Sequence, residues 1–415
     1  MQEDTMDKAL IPEGVERCSL GKFLAWLGFI SIFLAWGLYA AYLVLVPVGL
    51  GATGLDNYFG FGLWIVFDLG VIALGAGAFF TGLLKYILDI KELEKVINLT
   101  VIVGFICYSG AMLVLALDVG QPLRSWFGFW HANVHSMLTE VMFCISCYLM
   151  VLILEFVPNI LENRQLNKVP FLHYVAHNFH VVMPLIAGLG AFLSTFHQGS
   201  LGGMYGVLFG RPYALRDGFF IWPWTFFLFV LSAVASGPAF SVLVVKLMEL
   251  ITGKTLVDNS VKRLMCKIAG TMLCVYMFFK IVDTYVWATD IVPRSGMTFD
   301  QMFYQTVYGQ WLLWAEILVC GVIPAIILVV PKLRNIMWLM YSAAILDCTG
   351  IVINRYVQTV QTSAQAVMPF DTWAVYIPNW VEWAPSFAII AYGFLILSLA
   401  YRYLPVFPQE AELNK

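Results

Sequence analysis

Five ionisable side chains recur at one depth, near the same ends of four consecutive apolar stretches: Asp68, Asp118, His135, Glu140 and His197. Asp68 closes Trp64-Ile65-Val66-Phe67-Asp68, and Asp118 opens Asp118-Val119-Gly120-Gln121-Pro122. His135 ends His131-Ala132-Asn133-Val134-His135, Glu140 follows one turn later, and His197 begins His197-Gln198-Gly199-Ser200. Ionisable groups inside apolar stretches are costly, and they are usually paired or functional. This set holds three acids and no Lys or Arg in the same stretches, so its carboxylates are ready to carry protons. Protonatable acids beside histidines in an apolar slot suit quinone chemistry. Reducing a quinone takes two electrons and two protons, and its carbonyls need hydrogen-bond donors.

A second set comprises Lys280, Asp283, Glu316, Asp347, Asn354 and Arg355. Its charges nearly cancel, which favours a structural role: Lys280 paired with Asp283 or Glu316, and Arg355 with Asp347. Two clusters on successive four-helix sets imply an internal duplication. Towards the other end of the first set lie Tyr148, Glu155 and His180, with Tyr86, Asp89 and His177 nearby. They form a candidate proton route, and helix-end caps are the plain alternative. A two-haem reading needs histidine pairs on two helices at each depth, but His173, His177 and His180 share one stretch. An outer pair of His135 with His197 is the haem arrangement left open. Cys144-Ile145-Ser146-Cys147 lies mid-span and reads as buried structural thiols. No metal site, iron–sulfur motif, phosphate loop or dinucleotide fingerprint is evident, so no tightly bound redox cofactor is expected and electrons must come from a partner.

The elements that position these residues follow from composition. Of 415 residues, 61% are hydrophobic and 12% charged, and the mean hydropathy is +0.82. Soluble domains are far more charged, and the net charge of −3 excludes the basic face that nucleic acid requires. The expected fold is an all-α polytopic membrane protein. About ten transmembrane helices lie near 22–46, 61–88, 97–118, 136–157, 173–197, 219–248, 264–289, 309–330, 336–356 and 382–404. Residues 1–21 form a polar N-terminal segment with no cleavable signal, 22–404 a single membrane domain, and 405–415 a tail. Bundle one is expected at about 61–197 and bundle two at about 219–356, with 22–46 and 382–404 as flanking helices. Of the 23 Lys and Arg, 17 fall on the terminus side, five on the other, and Lys280 lies within a span. The positive-inside rule therefore puts both termini in the cytoplasm. The connectors on the opposite side (47–60, 119–135, 198–218, 290–308 and 357–381) are long and rich in Gly and aromatic residues. Interfacial anchoring accounts for most of those aromatics, and docking of an extracytoplasmic partner is the second role such loops suit.

Three segments carry a family resemblance: Leu117-Asp118-Val119-Gly120, then Asn133-x-His135-Ser136-x-Leu138-x-Glu140, then Ser194-Thr195-Phe196-His197-Gln198-Gly199-Ser200-Leu201-Gly202. Together they resemble the NrfD/polysulfide-reductase (PsrC-like) membrane subunits. Gly62-Leu63-Trp64-Ile65-Val66-Phe67-Asp68 is similar to the ten-helix HybB/QrcD branch, with the menaquinone-reductase type the best single match. The resemblance implies two four-helix bundles plus flanking helices in a bacterial inner membrane. It also implies menaquinone as substrate near the periplasmic face and a periplasmic iron–sulfur subunit as electron partner. Further periplasmic redox proteins, such as a multihaem cytochrome c or a molybdopterin-family-like protein, would hold the haems and clusters. Carried over by motif, Asp118, Glu140 and His197 are the catalytic candidates, with Trp64, Asp68 and His135 beside the quinone. A proton-coupled secondary transporter and a hydrogenase-type anchor are the rival readings.

Overall fold

The computed structural model describes residues 7–206, 216–219, 222–304, 309, 311–365 and 373–414. Among the described residues, ten helices are long and apolar enough to cross a membrane: α1 (Leu20–Leu45), α2 (Leu63–Ile87), α3 (Ile97–Asp118), α4 (Met137–Leu161), α5 (Pro170–Gly206), α6 (Trp224–Thr252), α7 (Asn259–Arg294), α8 (Trp311–Val329), α9 (Met337–Ala364) and α10 (Trp380–Tyr403). Each satisfies its backbone polar groups internally, as hydrocarbon demands. Most agree with the expected spans to within a few residues. Two run well past them: α5 continues nine residues beyond His197, and α9 continues to Ala364.

The extension of α5 has a packing cause. Residues 198–206, rich in glycine and expected as connector, lie buried against the start of α6. A Cβ on Gly202 would sit 2.2 Å from the Thr225 carbonyl, so glycine permits this approach. His197 is therefore well inside a helix. Residues 207–215 of the expected 198–218 connector, including Arg211, lie outside the described residues.

Helices α2 to α5 pack in a closed ring, α2 on α3, α3 on α4, α4 on α5 and α5 on α2. Helices α6 to α9 close a second ring in the same way. The rings meet through α2 with α6 and α9, and through α5 with α6. Gly77 and Gly237 mark the close approach of α2 to α6, since a Cβ on Gly237 would fall 2.2 Å from the Gly77 nitrogen. Helices α1 and α10 pair outside the rings along an aromatic seam, Trp26 with Phe394, Trp36 with Phe387 and Tyr39 with Trp380, and α10 rests on α3. Leu24, Phe29, Ile32 and Leu38 of α1 stay exposed, a face suited to lipid. Among the described residues, four of these helices contain π-helical turns, α2 at its end (83–87) and the others at 287–291, 315–322 and 357–361. Such turns are frequent at functional sites, and Glu316 sits in one of them.

Both chain ends meet on one side. Arg402 donates to the Asp7 carboxylate from Nε at 3.0 Å and from Nη2 at 2.6 Å. Arg17 donates to Glu410 at 2.5 and 3.0 Å. These buried pairs tie residues 7–19 to α10 and the C-terminal tail.

Candidate functional site

The first polar cluster lies inside the α2–α5 ring. Asp68 is 3% exposed, and its Oδ1 makes no hydrogen bond. Asp118, the last residue of α3, is half-buried with its Oδ1 likewise unpartnered. The two carboxylates lie within electrostatic reach of each other, and the Tyr205 hydroxyl of α5 stands near both. No salt bridge reaches Asp68 or Asp118 among the described residues. His197 is wholly buried. Its ring faces the Val141 carbonyl of α4, and neither nitrogen completes a hydrogen bond. Behind it, Tyr108 of α3 and Ser194 of α5 share a hydrogen bond of 2.7 Å, and Gln198 donates to the Tyr108 hydroxyl at 3.4 Å. The Tyr148 ring meets Tyr108 edge-on at 4.5 Å, its own hydroxyl buried and unpartnered. Buried polar groups are ordinarily hydrogen-bonded. So many without partners in one place marks a site built for something other than stability.

A cavity of about 830 Å³ opens between α3 and α4 beneath residues 119–129, within the range of roughly 300–1,000 Å³ usual for small-molecule sites. Leu115, Val119, Val141 and Ile145 line it, with Gln121 and Arg124 contributing polar groups. Val141 thus has the cavity on one side and His197 on the other.

Several expected members are elsewhere. His135 is exposed in the connector before α4, its backbone N–H donating to Asn133 Oδ1 at 3.0 Å, and it is not part of the buried set. Nor does it pair with the buried His197. Glu140 is half-buried, and the cavity is lined by Leu138, Val141, Met142 and Ile145 of α4, a face that leaves Glu140 to one side. Trp64 is buried but directs its indole N–H to the Glu382 carbonyl at 2.9 Å. On the candidate proton route, Glu155 is 7% exposed and shares a cavity of about 20 Å³ with Tyr86, Asn159 and His180, room for about one water. His180 itself is largely exposed and pairs with Glu162 at 2.7 Å.

The second cluster is knit together. Lys280 pairs with Glu316 at 2.9 Å, and Asn354 donates to the same Glu316 oxygen at 2.9 Å. Arg355 donates to Asn354 Oδ1 at 2.7 Å and to Ser232 at 2.9 Å, its guanidinium 3.6 Å over the Phe229 ring. Every helix of the α6–α9 ring contributes. Of the two partners expected for Lys280, Glu316 is the one that pairs, and Asp283 pairs instead with Arg216 at 2.9 Å; the other expected pairing is corrected. Arg355 does not reach Asp347, because eight residues along one helix is about 12 Å of rise. Asp347 is 1% exposed, with both oxygens unpartnered.

Sequence reasoning missed Tyr108, Ser194, Gln198 and Tyr205 as members of the first cluster, and Glu382 beside it. A tyrosine in mid-span is a weak signal, and an acid in the first turn of a helix reads as a cap.

Two four-helix rings with a pair of flanking helices define a multi-pass membrane protein, and the first ring encloses a set of buried, unpartnered polar groups. The chain belongs to the family described as "Polysulphide reductase, NrfD", which matches residues 51–366. It is 70% identical over 411 residues to the "Menaquinone reductase, integral membrane subunit" of Nitratidesulfovibrio vulgaris, covering 99% of this chain and 98% of that protein. It is 25% identical to the "Probable Ni/Fe-hydrogenase 2 b-type cytochrome subunit" of Escherichia coli, covering 87% of each. The expected family and its ten-helix branch are borne out.

Proposed function

We propose that this chain is the membrane subunit of a menaquinone reductase-type complex, handling the quinone in its first ring. The observation that carries this is the buried group of Asp68, His197 and Tyr148, hydrogen-bonding capacity unspent, in a ring whose α3–α4 side holds a ligand-sized cavity with His197 behind its Val141 wall. Similarity at 70% identity over nearly the whole of both chains supports the same reading.

The quinone ring enters between α3 and α4 and lies beneath residues 119–129. Gln121 and Arg124 are placed to donate to one carbonyl, and a change of the His197 side chain past Val141 brings an imidazole to the other. Two electrons arrive from a partner protein that holds iron–sulfur clusters, and two protons are taken up to give the quinol. Asp68 and Asp118 hold protons near the ring, with Tyr205 between them. Glu155, Tyr148, Ser194 and Tyr108 resupply them from the terminus side, which the positive-inside bias makes cytoplasmic. Glu140 acts at the rim of the site at most, and His135 belongs to the outer surface. That surface carries exposed Leu123, Trp130 and Val134, an apolar patch fitted to a docked periplasmic subunit. The second ring is the structural half, its Lys280–Glu316–Asn354–Arg355–Ser232 network spanning four helices.

Asp68→Asn and His197→Ala in the assembled complex test this. Each should lower quinone turnover on the order of 10²-fold, as loss of a proton-transfer group does. Glu140→Gln should leave it nearly intact. Wild-type turnover in both Asp68→Asn and His197→Ala would remove the site.

A further inference from the structure

Glu382 stands in the first turn of α10, beyond the stretch matched to the family, which ends at residue 366. It is 1% exposed. Its Oε2 accepts the Gly54 N–H at 2.8 Å and the Asn379 N–H at 3.0 Å. Its Oε1 accepts the Tyr376 hydroxyl, and that hydroxyl oxygen in turn accepts the N–H of Leu63, the first residue of α2, at 2.7 Å. The Glu382 carbonyl accepts the Trp64 indole N–H. A capping box with Asn379 explains one of these bonds. The others reach across the fold to residues 54, 63 and 64.

Trp64 and Asp68 are one turn apart on the same face of α2. Pinning the Trp64 indole therefore sets where Asp68 points. Glu382 also lies within electrostatic reach of Asp118, which is itself near Asp68. The titratable groups facing Glu382 are Asp118 from α3 and Tyr376 from the approach to α10. The 53–56 segment and α2 present backbone N–H groups and the Trp64 indole. Burial and the bond to Glu382 hold the Tyr376 phenol well above its ordinary range, so it stays a donor.

We propose that Glu382 is a positioning residue of the first polar cluster, holding the first turn of α2 so that Asp68 faces Asp118. The proposal rests on the functional reading above. It makes α10, a flanking helix, part of the wall of the site.

The test compares E382Q, Y376F and Y392F in the assembled complex. Y392F removes a different tie between α10 and α3, the Tyr392–Ser109 hydrogen bond of 3.0 Å, more than two turns from Asp118. E382Q and Y376F should each lower quinone turnover about tenfold or more, and E382Q should also move the pH–rate profile, which a misassembled fraction would not. Y392F should keep the wild-type profile, with turnover within about twofold. By hydrogen exchange, amides 62–68 should open about tenfold faster in E382Q and Y376F than in wild type or Y392F. Wild-type turnover and exchange in E382Q, or E382Q and Y392F behaving alike, overturns the proposal. Where E382Q does not assemble, Y376F decides on the same two readouts. If the wild-type complex turns over no quinone, the functional reading fails and the exchange comparison alone decides the role of Glu382.

Discussion

Lys280→Ala would leave the Glu316 carboxylate buried with Asn354 as its one described donor. Breaking one side of a buried pair typically costs about 3–5 kcal/mol, whereas replacing both members by apolar residues of similar size is often neutral. Lys280→Ala should therefore lower the thermal midpoint of the purified protein sharply, and Lys280→Met with Glu316→Leu should recover much of the loss. Equal midpoints for wild type and Lys280→Ala would show that the pair contributes nothing. Asp68 is the opposite case. It has no cation to lose, so Asp68→Asn should leave stability nearly unchanged while turnover falls on the order of 10²-fold. The two substitutions thus separate a side chain kept for the fold from one kept for chemistry. The residue types announced both clusters, since acids in apolar stretches stand out. They did not announce which acids were paired. That depends on which helix faces which, and Arg216, in a connector, turned out to be the partner of Asp283.

At the scale of elements, the segment 7–19 is fastened to α10 by Asp7, whose carboxyl the Arg402 hydrogen bonds hold below its ordinary value of 3.8. A depressed folded-state pKa adds stability that is present above the unfolded value, about 3.9, and is lost as pH falls through the folded one. Limited proteolysis within 8–16 should therefore stay slow at neutral pH and accelerate below about pH 4. Asp7→Asn should be cut readily at neutral pH and lose that dependence; an unchanged acid profile in Asp7→Asn would refute the clasp. The helices themselves were legible as apolar runs of the right length, and their limits mostly hold. The end of α5 was not. Glycines at 199, 202 and 206 read as a connector until the start of α6 is seen to need their missing side chains.

For the molecule as a whole, the basic residues predict which face looks inward. A cysteine placed at Leu123, 90% exposed, should react with an impermeant maleimide in intact spheroplasts, and one placed at Glu13 only after lysis. The reverse pattern would invert the orientation. Sequence alone determined the membrane residence, the number of spans, the family branch and the presence of two polar sets. Each of these follows from local composition or from motifs contiguous in the chain. Tertiary structure alone decided that Tyr108, Ser194 and Tyr205 join Asp68 and His197, that His135 stays outside, and that one polar network of the second ring spans four helices. It also brought Glu382 beside Asp118, residues 264 positions apart in the chain. The physical reason is that hydropathy dictates whether a segment enters the membrane, whereas the rotation and neighbours of each helix are set by side-chain packing between segments far apart in the chain.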